Sequence, residues 1–277
     1  MKHLLCFGFG FSARTLCARL NPTEWKISAT SRTLEGVDKI SASGFSGFLF
    51  DHAFVIPPDV THIVTSAPPD EAGDPVLQMF ANQLRALKHL EWAGYLSTTG
   101  VYGDKGGEWV DEDSALVPNT TRGERRLSAE QAWLSLNLPV HLFRLAGIYG
   151  RGSNQLVSVK NGTAKRVIKA GQIFSRIHVE DIAGVLEASI AKPHPGRAYN
   201  VCDDEPCPPQ DVVAYAAELL GTPVPPDIPF EQAELSPMAK SFYADSKRVL
   251  NTRIKTELGY KLIYPNYRVG LKALLNS

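Results

Sequence analysis

Gly8-Phe9-Gly10-Phe11-Ser12-Ala13 is the stretch on which the fold turns. It follows Leu4-Leu5-Cys6-Phe7, which reads as a buried strand, and opens a helical stretch from Ser12 to Leu20 that Asn21-Pro22 closes. In a G-x-G-x-x-A turn the first glycine allows the tight bend and the second lets backbone approach a pyrophosphate. The last small residue lets the helix pack on the strand. The helix N-terminus adds free N–H groups and a partial positive charge. Strand, turn and helix together predict dinucleotide binding. Lys2-His3 before the apolar run imitates a signal peptide, but that run is short, broken by glycine and enters Arg14, so a first strand accounts for it.

Working outward, short apolar runs alternate with helical patterns. Strands are expected at Trp25–Ala29, Phe48–Phe50, His62–Thr65, Tyr95–Ser97 and Val140–Leu145. After Pro75, the residues Val76, Phe80, Leu84 and Leu87 recur at helical spacing, and a further helix is expected from about Gly123 to Asn137. Alternating strands and helices require a parallel sheet covered on both faces, a doubly wound α/β (Rossmann) fold with a smaller C-terminal substrate lobe. The expected division is residues 1–155 for the dinucleotide-binding domain, completed by about 177–203, with 156–176 and 204–277 forming the lobe. Ten of the 19 prolines lie between Pro193 and Pro237, which marks the change of texture. Helical patterns there cover Asp211–Leu220 and Asp245–Leu258.

Composition narrows the function. The 277 residues carry 29 Lys+Arg against 29 Asp+Glu, so a general nucleic-acid or membrane-surface binder is not expected. No apolar run is long enough to span a bilayer. Cys6, Cys17, Cys202 and Cys207 show no metal-ligand spacing and fit buried thiols in a reducing cytoplasm, with no metal. The zero sum hides local charge: Asp203 to Glu234 holds eight acids and no Lys or Arg, and Lys240 to Lys272 holds eight bases against two acids.

The second strand leads into Thr30-Ser31-Arg32 with no acid to bind a ribose 2′-hydroxyl. Arg32 offers a guanidinium fork to a 2′-phosphate, and Thr30 or Ser31 can add hydrogen bonds, so NADP is expected, with NAD left open. Asp51 either accepts from an adenine amino group or caps a turn. Ser66-Ala67-Pro68, after Thr65, makes a stiff wall suited to ribose and phosphate contacts. The expected cofactor shell is therefore Gly8, Phe9, Gly10, Phe11, Ser12, Ala13, Ser31, Arg32, Asp51, Ser66, Ala67 and Pro68.

These segments, with Ser97–Gly103, Arg144–Gly150 and Ile177-His178-Val179-Glu180-Asp181, occur in the order of extended and atypical short-chain dehydrogenases/reductases. The chain resembles an epimerase/dehydratase-type member, in the YeeZ-like branch. That resemblance implies a catalytic Ser/Thr and a Tyr-x-x-x-Lys pair on the following helix, the tyrosine as general acid/base. Thr98 falls at the Ser/Thr position, but Arg122 stands at the tyrosine and Arg126 at the lysine. Arginine is a poor proton shuttle near neutrality. Tyr102 can supply the missing phenol with Arg126 at the ribose; otherwise the site binds NADP without turnover.

The bland reading of Arg122, Arg125 and Arg126 is a charged helix face, with Arg126 and Glu130 at i, i+4, a pair worth about 0.2–0.5 kcal/mol. Ser97–Gly103 and Arg144–Gly150 both end Gly-aliphatic-Tyr-Gly, which would bring Tyr102 and Tyr149 to the ligand edge of the sheet. Asp181 is expected to cap a helix from Ile182 to Ala191, with His178 locally satisfied. Lys160, Lys165, Arg166, Lys169 and Arg176 suggest an anionic substrate or a solvated face, and Asp104 to Asp113 an exposed acidic loop. The expected protein is thus an NADP-dependent oxidoreductase or epimerase on a small polar, anionic substrate, with homodimer formation compatible. The alternative is a non-catalytic NADP-binding sensor; an RNA-binding relative lacks the basic-aromatic platform it would need.

Overall fold

A computed structural model describes residues 1–276, apart from the Met238 side chain. In chain order the first elements are β1 Lys2–Phe7, α1 Phe11–Arg19, β2 Trp25–Ser31, α2 Leu34–Ala42, β3 Ser46–Leu49 and β4 His62–Thr65. Next come α3 Pro75–Arg85, β5 Trp92–Thr98, β6 Trp109–Val110, α4 Thr121–Leu134, β7 Val140–Leu145 and β8 Gly147–Tyr149. Then follow α5 Gln155–Lys160, β9 Arg166–Ile168, β10 Arg176–His178, α6 Val179–Ala191, β11 Ala198–Val201 and α7 Pro209–Leu219. The chain closes with β12 Asp227–Pro229, α8 Pro237–Phe242, β13 Arg248–Val249, α9 Thr252–Thr256 and α10 Tyr267–Leu275.

Seven strands form one sheet in the order β11-β7-β5-β4-β1-β2-β3. β1 pairs in parallel with β2 and β4, β2 with β3, and β4 with β5. Leu142 N donates to Arg197 O and Ala146 N to Val201 O, so β7 and β11 advance together as parallel neighbours. This is the doubly wound α/β architecture. The strand order reverses between β1 and β4, where such sheets bind ligands. Parallel strands buried on both faces must be apolar nearly throughout, and all four residues of β4 and all six of β7 are buried.

Two compact units emerge, each discontinuous in sequence. The first comprises 1–98, 124–144 and 182–199; the second comprises 99–123, 145–181 and 200–277. In the first, α3 begins where Asp74 accepts from Val76 N and Leu77 N with Pro75 at the first helical position. Asp74 also accepts from Trp133 Nε1 at 3.1 Å, which ties α3 to α4. Val76, Phe80 and Leu84 join Leu5, Phe7, Tyr95 and Trp133 in the core. Truncating one of the large rings to alanine would cost about 3–5 kcal/mol.

The second unit carries three two-stranded parallel pairs, β8–β10, β9–β12 and β6–β13. Its main apolar cluster includes Tyr149, Leu156, Cys207, Val212, Ala216, Tyr267 and Leu271. The expected helix over 245–258 shrinks to α9, because β13 takes Arg248–Val249. Leu250 N then donates to Val110 O, so ladder pairing wins over helical propensity there. Among the described residues, no helix is long and apolar enough to cross a membrane.

Candidate dinucleotide and active site

Gly8 holds φ +88°, and a Cβ there would come within 2.9 Å of Ser66 Oγ. Only glycine meets both conditions, so it seals the ends of β1 and β4 together. Gly8 N donates to Thr30 Oγ1 at 3.3 Å, and Thr30 is 1% exposed. Thr30 therefore shapes the turn, which corrects its expected place beside a 2′-phosphate. Gly10 is the N-cap of α1 in extended backbone, and a Cβ on it would meet nothing within 4 Å. Among the described residues no side chain caps α1 and no acid lies in its first turn. The N–H groups of Phe11, Ser12 and Ala13 thus have no side-chain cap and no competing carboxylate in the first turn. Ser12 and Ala13 are buried, Phe11 half-buried, and Phe9 packs edge-on to Phe45 at 5.8 Å.

Around this turn, Arg32 is exposed, while half-buried Ser31 accepts from Thr33 N at 3.3 Å. Asp51 Oδ1 accepts from Ala53 N at 2.9 Å and Phe54 N at 3.1 Å, so Asp51 caps the turn after β3. Ser66 N donates to Phe7 O at 3.1 Å; Ser66 and Ala67 are half-buried and Pro68 exposed. Thr65 Oγ1 is buried with no hydrogen-bond partner among the described residues. An open glycine cradle, an uncapped helix end, a free guanidinium and an orphaned hydroxyl fit a dinucleotide.

Thr98 is half-buried at the end of β5. Arg126 is half-buried beneath that strand end: Nη1 donates to Leu96 O at 2.8 Å and Tyr95 Oη at 3.2 Å. The guanidinium also lies 5.7 Å from the Tyr95 ring. β4 pairs with β5 only as far as Tyr95, which leaves the Leu96 carbonyl for the guanidinium. Burial pushes the Tyr95 phenol up to about 12. The expected Arg126–Glu130 pair does not form. Glu130 instead accepts from Ser97 Oγ at 2.5 Å and pairs with Arg144 Nη2 at 2.9 Å, all three buried. Burial favours the partner that is itself dry and can bond bidentately. The signal for this network lies in polar residues within largely apolar, buried strands: Ser97 in β5 and Arg144 in β7.

In the second unit, Tyr102 is 0% exposed and its hydroxyl donates to Asn200 Oδ1 at 2.7 Å. A phenol so enclosed does not present its proton to a ligand. Tyr149 is 7% exposed, packed over Gly270, with its phenol pushed far up by burial. Both tyrosines of the repeated segment are therefore core, which corrects the expectation that they line the ligand edge. Arg122 is exposed and lies 5.3 Å from the Phe242 ring.

Asp181 is wholly buried and accepts from Tyr260 Oη, Ile263 N and Tyr264 N at 2.7–3.0 Å. It clamps the loop before α10, where a helix cap had been expected. His178 Nδ1 accepts from Glu180 N at 3.2 Å, while burial lowers the ring to about 4. Its Nε2 lacks a partner among the described residues, so the local satisfaction expected is half met. Lys165 and Lys169 donate to the carbonyls of Glu234 and Tyr243, Arg166 pairs with Asp227, and Arg176 donates to Phe174 O. Four of the five bases suggestive of an anionic substrate are thus spent locally. Glu112, expected on an exposed loop, has a 3% exposed side chain and accepts from Asn200 N at 2.8 Å. Among the described residues no group of three metal-ligating side chains occurs.

Comparison with known proteins bears on this geometry. No family model matches the chain. Protein YeeZ of Escherichia coli K12 is 28% identical, covering 96% of this chain and 97% of YeeZ. A functionally unknown conserved protein from Silicibacter pomeroyi DSS is 53% identical at TM-score 0.94, covering 100% of this chain and 99% of its own. A candidate NAD-dependent epimerase/dehydratase from Methylobacillus flagellatus is 26% identical at TM-score 0.74, over 99% and 97% of the two chains. At fold level, human epimerase family protein SDR39U1, solved with NADPH, has 19% identity and TM-score 0.76 over 100% and 99% of the chains. Bacillus anthracis dTDP-glucose 4,6-dehydratase, solved with NAD, has 18% identity and TM-score 0.76 over 100% and 96%. With the strand order and glycine turn described above, the chain is similar to YeeZ over nearly its whole length and shares the fold of the epimerase/dehydratase-type short-chain dehydrogenases/reductases.

Proposed function

We propose that the chain is an NADP-dependent oxidoreductase or epimerase of the short-chain type, acting on a small polar substrate. The observation that carries this reading is the turn at Gly8 and Gly10, with open space at Gly10 and an uncapped helix after it. Gly8 shapes the turn, and Gly10 to Ala13 hold the diphosphate through backbone N–H groups. Arg32 and Ser31 bind the 2′-phosphate, Asp51 borders the adenine, and Ser66-Ala67-Pro68 form the ribose wall. Solved fold relatives carry NADPH in one case and NAD in another, so the preference for NADP rests on Arg32 alone.

When bound, the nicotinamide supplies a hydride donor or acceptor. Thr98 donates to the reacting oxygen of the substrate. Arg126, anchored through one nitrogen on Leu96 O, turns its remaining N–H groups to the ribose and to negative charge developing on that oxygen. Arg122 orients an anionic substituent of the substrate. A proton then comes from water, since Tyr102 is enclosed.

That enclosure equally supports a second reading, an NADP-binding sensor without turnover. Fluorescence titration with NADPH and NADH tests the binding: tighter NADPH is expected, and failure of both to bind overturns the proposal. Sustained oxidation of NADPH with a panel of small carbonyl compounds supports the enzyme, whereas saturable binding without oxidation supports the sensor.

A further inference from the structure

Cys6, next to last in β1, and Cys17, in α1, bring their sulfurs to 3.6 Å. Both are free thiols, 0% and 1% exposed, and the ten residues between them, Phe7 to Leu16, include the whole Gly8–Ala13 turn. Cys202 Sγ instead donates to Val249 O, and Cys207 Sγ accepts from Arg176. We propose that Cys6 and Cys17 are an oxidative modification site, a dithiol whose disulfide distorts the glycine turn and shuts off dinucleotide binding. The second half of this statement rests on the dinucleotide reading.

Closing the bond draws the sulfurs from 3.6 Å to about 2.05 Å. β1 is fixed between β2 and β4, so the strand does not yield. α1 is nine residues long with no side-chain cap, so the helix moves and carries its first turn with it. The buried face of α1, Ser12, Ala13, Leu16 and Cys17, is largely of small residues and offers little steric resistance. The contact with Cys17 and then burial hold the Cys6 thiol well above its usual range, so reaction proceeds from molecules in which α1 has lifted. A bound diphosphate opposes that lifting.

The oxidant is a small neutral peroxide. One thiolate attacks a peroxide oxygen, the O–O bond breaks, and a sulfenic acid and one water result. The second thiol, losing its proton, attacks that sulfur and displaces the hydroxyl as a second water. Two thiols are oxidised to one disulfide while one peroxide is reduced to two waters.

The test treats the full chain with hydrogen peroxide, with and without saturating NADPH, and removes reagents before measurement. Mass analysis is expected to show loss of two hydrogens and a peptide linking Cys6 to Cys17, formed more slowly with NADPH present. NADPH affinity of the linked protein is expected to fall at least about tenfold and to return with dithiothreitol. Cys17→Ala, or Cys17→Ser should alanine fold poorly, is expected to keep its affinity through the treatment. Unlinked thiols, a link that leaves affinity unchanged, or the same loss in Cys17→Ala would each overturn the proposal. A reduced protein that binds no NADPH overturns the dinucleotide reading and the closure of the turn, while the linked peptide still decides the modification site.

Discussion

The turn after β1 and the turn after β5 both leave a parallel strand at its carboxyl end, and both are rich in glycine. After β1 the functional groups are unspent: Gly10 faces open space, α1 has no side-chain cap, and Arg32 is exposed. After β5 the conspicuous phenol is wholly enclosed and bonded to Asn200. The difference teaches that a motif is poised to bind when folding leaves its polar groups without partners. The same residue types become structure when burial supplies the partners.

The sharpest way to break this contrast is at the buried network beneath the sheet edge. Arg144→Met strands Glu130 inside the protein and is expected to cost about 3–5 kcal/mol, read by chemical denaturation. A loss below about 1 kcal/mol would mean the pair is effectively solvated. Next in size, Tyr102→Phe leaves Asn200 Oδ1 short of a donor and is expected to cost about 1–3 kcal/mol with NADPH affinity unchanged. A changed affinity with unchanged stability would return Tyr102 to the binding surface. Arg32→Ser touches the open side alone: NADPH affinity is expected to fall about tenfold, roughly 1.4 kcal/mol, with NADH affinity and melting temperature unaltered.

A separate expected effect is in pH. Burial lowers His62, His141 and His178 from 6.5 to about 4, so unfolding takes up protons between those values. Their contribution is complete above 6.5 and is lost as pH falls toward 4. Asp203 behaves oppositely: burial raises it from 3.8 to about 8, so stability drains away as pH rises through that range. Asp203→Asn is expected to raise the melting temperature near pH 8 and leave it unchanged near pH 4, because its effect follows that titration. An equal shift at both ends would show that the carboxyl is not held neutral.

Much of the architecture was legible because it depends on local pattern. His62–Thr65 and Val140–Leu145 emerge with the expected bounds, and Val76, Phe80 and Leu84 form the buried face of α3. The tight turn after β1 was legible because its requirement is steric and local to Gly8. What escaped the sequence depends on distant partners. Glu130 looked like a mate for Arg126 one helical turn away, yet Arg144 and Ser97, on two strands, claim it. Asp181 looked like a cap, yet the backbone at Ile263 and Tyr264 uses it. The basic segment looked ready for an anion, yet Asp227 and three carbonyls absorb four of its five charges. Helical or strand periodicity carries no information about such pairings.

The central claim is that the space above Gly10 receives a dinucleotide diphosphate. Gly10→Ala tests it directly, because φ is −78° and the added Cβ meets no atom of the described residues within 4 Å. The account predicts an unchanged melting temperature and an NADPH affinity lowered about 100-fold, near 2.7 kcal/mol. Equal affinity in the variant and the parent, both well folded, would contradict it.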